Sequence, residues 1–218
     1  MTAALVTLLH VLVFVYWLGG DLGAFYTSSI VSDPRRSRDA RVAAAQALAD
    51  LDMAPRTSLI LAFPTGLTLA VVKGWAALPP AALAAVWLVM LAWLWLAWRI
   101  HRHHLTPANF WRRLDLIVRW SVLTGLTLLG VAVLWELLAW PFFLGLKLLI
   151  LAAAIAAGLW VRVLLAPFGP AFSAWAVAGP TPEGDAVIAR TLSRVRPAVM
   201  AIWTLLLAAA LIGYWKPA

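Results

Sequence analysis

The sequence predicts an all-α protein, a polytopic membrane bundle of six transmembrane helices with both termini outside. Three observations lead there. Of 218 residues, 64% are hydrophobic and 12% charged, against about 45–50% and about 25% in a soluble domain. A chain this short cannot hide that excess in one core, which excludes disorder, a disulfide scaffold and a water-soluble enzyme. The apolar residues gather in six runs, each close to the about 20 residues that cross a bilayer as helix. The cations gather between alternate runs.

Taken in order, the spans cover about 3–31, 56–75, 80–99, 116–138, 142–166 and 198–215. Each is leucine- and alanine-rich without alternation, which excludes a membrane barrel. In lipid every amide needs an internal partner, so the runs are helices. The first is too long for a cleavable signal and lacks a small-residue cleavage motif, so it stays as a span. After it, Asp33-Pro34 places an N-cap and a first-turn proline before an alanine-rich run, predicting a surface helix over about 34–52. Thr181-Pro182-Glu183 predicts a second, over about 182–196, with Val187, Ile188, Leu192 and Val195 on one side and Arg190 and Arg194 elsewhere. Such a helix lies along the headgroups or docks a membrane or peripheral protein partner. Pro167–Gly184, rich in Pro and Gly, is the one connection long enough to be a mobile loop.

Orientation follows from charge. Arg35, Arg36, Arg38, Arg41 and Arg56 sit in or beside the first connection, and Arg99, Arg102, Arg112, Arg113 and Arg119 the third. With Arg162, Arg190, Arg194 and Arg196 in the fifth, 14 of 17 cations share one side. The formal net charge of +8 therefore orients the chain and does not mark a nucleic-acid binder. The positive-inside rule puts the odd connections in the cytoplasm and the chain, multi-pass, in the bacterial inner membrane. The second and fourth connections hold only Lys73 and Glu136. Thr65-Gly66-Leu67-Thr68-Leu69 recurs as Thr124-Gly125-Leu126-Thr127-Leu128. Either helices 2–3 and 4–5 are duplicated hairpins, or small and β-branched residues recur for close helix packing.

Ionisable residues inside a membrane are costly and mark function by default. His10 and Asp21 stand eleven residues apart in the first span, which at 100° per residue returns to nearly one face over about 16 Å. Trp17 shares that stripe and Phe14 lies near it. His10 is seven residues after Ala3 and Lys147 five after Phe142, so both reach the outer leaflet, where Glu136 could join them. Snorkelling to the headgroups is the plainer reading of Lys73, and competes for Lys147. Asp21, beside Gly19, Gly20 and Gly23, needs a partner, the simplest being an arginine from a helix end. With no Cys, thiolate metal sites are excluded. His101-Arg102-His103-His104 sits among arginines, which repel cations. The chain is tryptophan-rich: Trp75, Trp135, Trp140 and Trp215 fall where an aromatic belt belongs, and Trp87, Trp93, Trp95 and Trp98 crowd the third span, either packing or lining a porphyrin or quinone pocket.

His10, then Trp17, then Gly20 resembles the first-helix pattern of the HemJ family, membrane proteins that oxidise protoporphyrinogen IX. Gly145-Leu146-Lys147-Leu148-Leu149, the ending Tyr214-Trp215-Lys216-Pro217 and Met53-Ala54-Pro55 are similar to further parts of it. Trp17-Leu18-Gly19-Gly20 with His10 resembles, more loosely, the CopD group of copper-resistance membrane proteins. Six spans exceed the HemJ number, and Gly158-Leu159-Trp160 lacks a His expected there. The resemblance implies a haem- or porphyrin-binding oxidoreductase passing electrons to quinone. It implies haem b as cofactor, with His10 as metal ligand, Phe14, Trp17, Gly20 and Lys147 around the macrocycle, and Asp21 and Lys147 in catalysis. A cofactor-free anchor or carrier, or CopD-like copper handling, are the alternatives.

Overall fold

The computed structural model describes residues 1–103 and 109–217. It is all-helical, 85% helix without strands among the described residues. The helices are α1 (Thr2–Ser32), α2 (Arg38–Leu51), α3 (Met53–Val72), α4 (Pro80–Arg102), α5 (Phe110–Leu134), α6 (Phe142–Leu164), α7 (Phe168–Ala178) and α8 (Pro182–Trp215). Among the described residues six segments are long and apolar enough to cross a membrane, with α2 and α3 counted as one. The architecture is that of a multi-pass membrane protein.

Helix α1 packs on α3 and α8, α6 lies between α5 and α8, and α3 meets α4. Trp17, Ile60, Trp93, Ile155 and Ile202 meet in the principal core. Leu88, Leu128, Val163 and Leu211 stand exposed on the outside, as side chains that face lipid do. At one end of the bundle α1 begins and α8 stops, beside the α3–α4 and α5–α6 connections. There Trp75 sets its edge on Phe143, ring centroids 5.2 Å apart, and the Lys216 ammonium lies 5.1 Å from the Trp75 ring centre. This is the lysine end. The arginines gather at the other.

Several boundaries differ from the sequence reading. Asp33 does not cap α2. It ends α1, its N–H bonded to Ile30 O at 3.3 Å, while its carboxylate accepts the Arg35 N–H and Nε, both at 3.0 Å. That local turn uses up the cap, and Ser37 starts α2 instead, accepting from the Ala40 N–H at 3.3 Å. Helix α3 begins at Met53 rather than near 56, because Asp52 joins it to α2 almost without a break. Pro167–Gly184 is not simply a loop. Phe168, Phe172 and Trp175 fall on one helical face and stack in sequence, 5.4 Å between successive centroids, which holds α7 together. Thr181 accepts from the Gly184 N–H at 3.1 Å and starts α8, but this helix does not lie on the surface and stop. It runs through Pro197 to Trp215, because the buried stripe of Ile188, Thr191, Leu192 and Val195 continues as Ile202 and Leu206.

The two repeat copies have unlike surroundings. Thr65 is buried, and a Cβ on Gly66 would touch the His10 ring at 3.0 Å. Thr124 and Gly125 are exposed, with open space beside Gly125.

Candidate functional site

At the lysine end α1, α3, α6 and α8 enclose a cavity of about 540 Å³, within the about 300–1,000 Å³ of small-molecule sites. Phe14, Trp17, Phe63 and Phe143 are among its apolar walls, and His10 and Lys147 stand in them. The first-helix stripe read from the sequence thus faces into the bundle along His10, Phe14 and Trp17.

His10 Nδ1 lies 2.9 Å from Thr65 Oγ1. The Thr65 hydroxyl has one proton, and Leu61 O receives it at 2.6 Å. Thr65 therefore accepts from His10, so Nδ1 is the donor. In the neutral ring Nε2 is then the unprotonated nitrogen, and among the described residues no hydrogen bond occupies it. A hydrogen bond on one ring nitrogen is how proteins set the tautomer and aim of a ligating imidazole. Gly66 makes room: any larger residue there would press on the ring.

Lys147 reaches from the second turn of α6 towards α8. A Cβ on Gly213 would lie 2.6 Å from its Nζ, so the ammonium sits where only a glycine leaves space. It has no ion pair. Lys73 and Lys216, both exposed, line the same cavity.

Gly20 takes a different part from the one expected. A Cβ there would meet Ala54 Cβ and Pro55 Cδ, both at 2.7 Å. It lets α1 and α3 touch and does not line the cavity. Glu136, exposed, also stays apart from it. The α4 tryptophans serve as hydrogen-bond donors and packing groups: Trp87 bonds Thr68 at 2.9 Å, Trp98 bonds Thr57 at 3.1 Å, and Trp95 meets Trp111 edge-on. None lines the large cavity. His101 Nε2 lies 3.1 Å from Asp50 Oδ1, His103 is the C-cap of α4, and His104 lies outside the described residues.

Asp21 occupies a second, smaller cavity of about 180 Å³ towards the arginine end, with Asp52, Arg56, Arg119, Arg162 and Arg196. The expected arginine partner is absent. Arg56 pairs with Asp52, while Arg119 and Arg162 pair with Asp115. Arg196 lies over the Phe25 ring, 5.2 Å away. Asp21 has the indoles of Trp17 and Trp203 as its hydrogen-bonding neighbours, and Arg196 Nε is buried without a hydrogen-bond partner among the described residues. Trp17 and Ala154 line both cavities and form the wall between them.

Sequence reasoning missed two charged centres. Asp115 is 1% exposed and collects Trp93 Nε1 at 2.9 Å, Arg119 Nε at 3.0 Å and Arg162 Nη2 at 2.9 Å. It ties α4, α5 and α6 together. Its i,i+4 spacing from Arg119 was the available signal, hidden because both residues sat at the predicted membrane edge. Arg41, also 1% exposed, donates Nε to Val31 O at 2.8 Å and Nη1 to Asp185 at 2.6 Å, and lies 4.1 Å from the centre of the Trp175 ring. Counted among topology signals, it in fact clamps α1, α2, α7 and α8.

No family model, curated protein or solved structure matches the chain. Among the described residues no three His, Cys, Asp or Glu side chains come together as a metal site. A haem brings its own equatorial donors and asks the protein for an axial ligand, which a lone His10 Nε2 can provide.

Proposed function

We propose that this chain is a membrane protein of the bacterial inner membrane that binds a haem or related porphyrin in the cavity of the lysine end. One observation carries the reading: His10 commits Nδ1 to Thr65 and leaves Nε2 free in the wall of an aromatic-lined cavity of about 540 Å³. His10 would be the axial ligand, Phe14 and Trp17 would pack on the macrocycle, and Lys147 would serve as second ligand or meet an acidic substituent. A bound haem supplies one-electron redox chemistry. The chain's own part is to hold it, keep water from it with apolar walls and fix the His10 tautomer.

The test is an absorption spectrum of detergent-purified protein from haem-sufficient cells. A Soret band that is lost in His10→Ala supports the reading; colourless, haem-free protein defeats it. The HemJ-like pattern of His10, Trp17 and Lys147 extends the proposal to porphyrinogen oxidation with quinone as electron acceptor. Rescue of a strain lacking protoporphyrinogen oxidase tests that extension, and failure to rescue leaves a binder.

A second reading is favoured by the Trp17–Ala154 wall between the two cavities, each of which holds ionisable side chains: a cofactor-free carrier using His10, Asp21 and Lys147 as couplers. Under it, Trp17→Ala makes proteoliposomes leak protons, whereas a haem binder loses pigment without leaking.

A further inference from the structure

All three lysines of the chain, Lys73, Lys147 and Lys216, line the cavity at the lysine end, and no Asp or Glu does. Every other cation in the chain is an arginine, and no arginine lines this cavity. So complete a separation is not a by-product of topology, which concerns only the arginine end. The helix dipole favours a cation at a C-cap, and that accounts for Lys73 and Lys216, which cap α3 and α8. It offers nothing to Lys147, close to the N-terminal end of α6. An ammonium inside a membrane span without a carboxylate partner is costly, and the space beside Gly213 gives Lys147 room there. At the mouth, Lys216 rests over Trp75, which is braced on Phe143. The cavity therefore has apolar walls, one deep positive charge and two more at its rim.

We infer that this cavity selects an anionic amphiphile, an apolar body carrying acidic groups, and that Lys73, Lys147 and Lys216 hold those groups. The inference rests on the reading of the cavity as a ligand site and adds the charge class of its ligand. Ammonium groups act as compact point charges, so they recognise either carboxylates on an inserted ligand or the phosphate of an anionic lipid.

The full chain is reconstituted in phosphatidylcholine nanodiscs. Metal-free protoporphyrin IX and its dimethyl ester are titrated by tryptophan quenching, with protein-free discs as blank. Neither probe needs iron ligation by His10. The free acid is expected to bind on the order of tenfold more tightly than the ester, one decade of affinity being a modest return for charge pairing. In the Lys73→Gln/Lys216→Gln double variant that preference falls away while ester affinity stays, which also shows the cavity intact. Lys147→Gln alone also lowers the preference. Replacing part of the lipid by phosphatidylglycerol separates the sources: a surviving preference assigns the anion to the inserted ligand, and a preference abolished by competition assigns it to lipid, the anionic class standing either way. Equal binding of acid and ester by the wild type, or an unchanged preference in the double variant, overturns the inference alone. Failure of both porphyrins to bind removes the parent reading as well.

Discussion

His10 Nδ1 donates a hydrogen bond to the Thr65 hydroxyl across 2.9 Å, and Thr65 Oγ1 donates its own to the Leu61 carbonyl at 2.6 Å. This relay between α1 and α3 turns a threonine into a director of the imidazole. Thr65→Val keeps the shape and removes the acceptor. Haem affinity is expected to fall about 10–100-fold, the usual loss when an outer partner of a ligating histidine is removed. Thr65→Ser retains most of it. Haem titration followed at the Soret band measures both, and equal affinities in all three proteins would show that Thr65 does not orient His10.

Asp115 predicts a stability effect away from the ligand. It faces Arg119 and Arg162, with Asp115 and Arg119 buried and Arg162 about one-third exposed. Asp115→Asn leaves these guanidiniums without a counter-charge. Breaking a buried pair costs about 3–5 kcal/mol, and the exposure of Arg162 places this one at the lower end. Thermal unfolding in detergent is expected to show a clear loss for Asp115→Asn and a smaller one for Arg162→Gln.

Two glycines separate packing from ligand binding. A Cβ on Gly130 would come within 2.9 Å of Leu149 and 3.1 Å of the Gly145 carbonyl, so Gly130→Ala wedges α5 from α6 at a cost of about 1–3 kcal/mol. A Cβ on Gly213 meets only the end of Lys147, a side chain free to swing aside. Gly213→Ala is expected to melt like the wild type, yet to bind acidic porphyrin more weakly. Melting curves and binding isotherms on the same preparations check the pair.

The chain contains no Cys, so single-cysteine variants report sidedness without background. With the arginine end in the cytoplasm, Ser37→Cys is labelled by a membrane-impermeant maleimide only after cells are opened. Glu136→Cys is labelled in spheroplasts. The reverse pattern would invert the topology.

Much was legible before any coordinates, for one reason. A bilayer imposes length, apolarity and helical bonding on each span without reference to its neighbours, so the six runs announce themselves. The inward stripe of His10, Phe14 and Trp17 was legible on the same ground, since helical periodicity is local. Asp33 misled because a cap residue can serve either helix it adjoins, and Arg35 captured its carboxylate. Gly20 misled because a bare backbone beside a candidate ligand reads alike whether a cofactor or Pro55 fills the gap.

By itself, then, the sequence determined an all-helical membrane chain with its arginines gathered between alternate spans, and it singled out His10, Asp21 and Lys147. Only the tertiary structure decided their company. It put His10 on Thr65, left Asp21 without an arginine, and brought Lys73 and Lys216 beside Lys147 from three separate helices. Which arginine meets Asp115, and which Asp21 must do without, depends on how α5, α6 and α8 pack. Such pairings join residues far apart along the chain, and helical periodicity relates only residues within one helix.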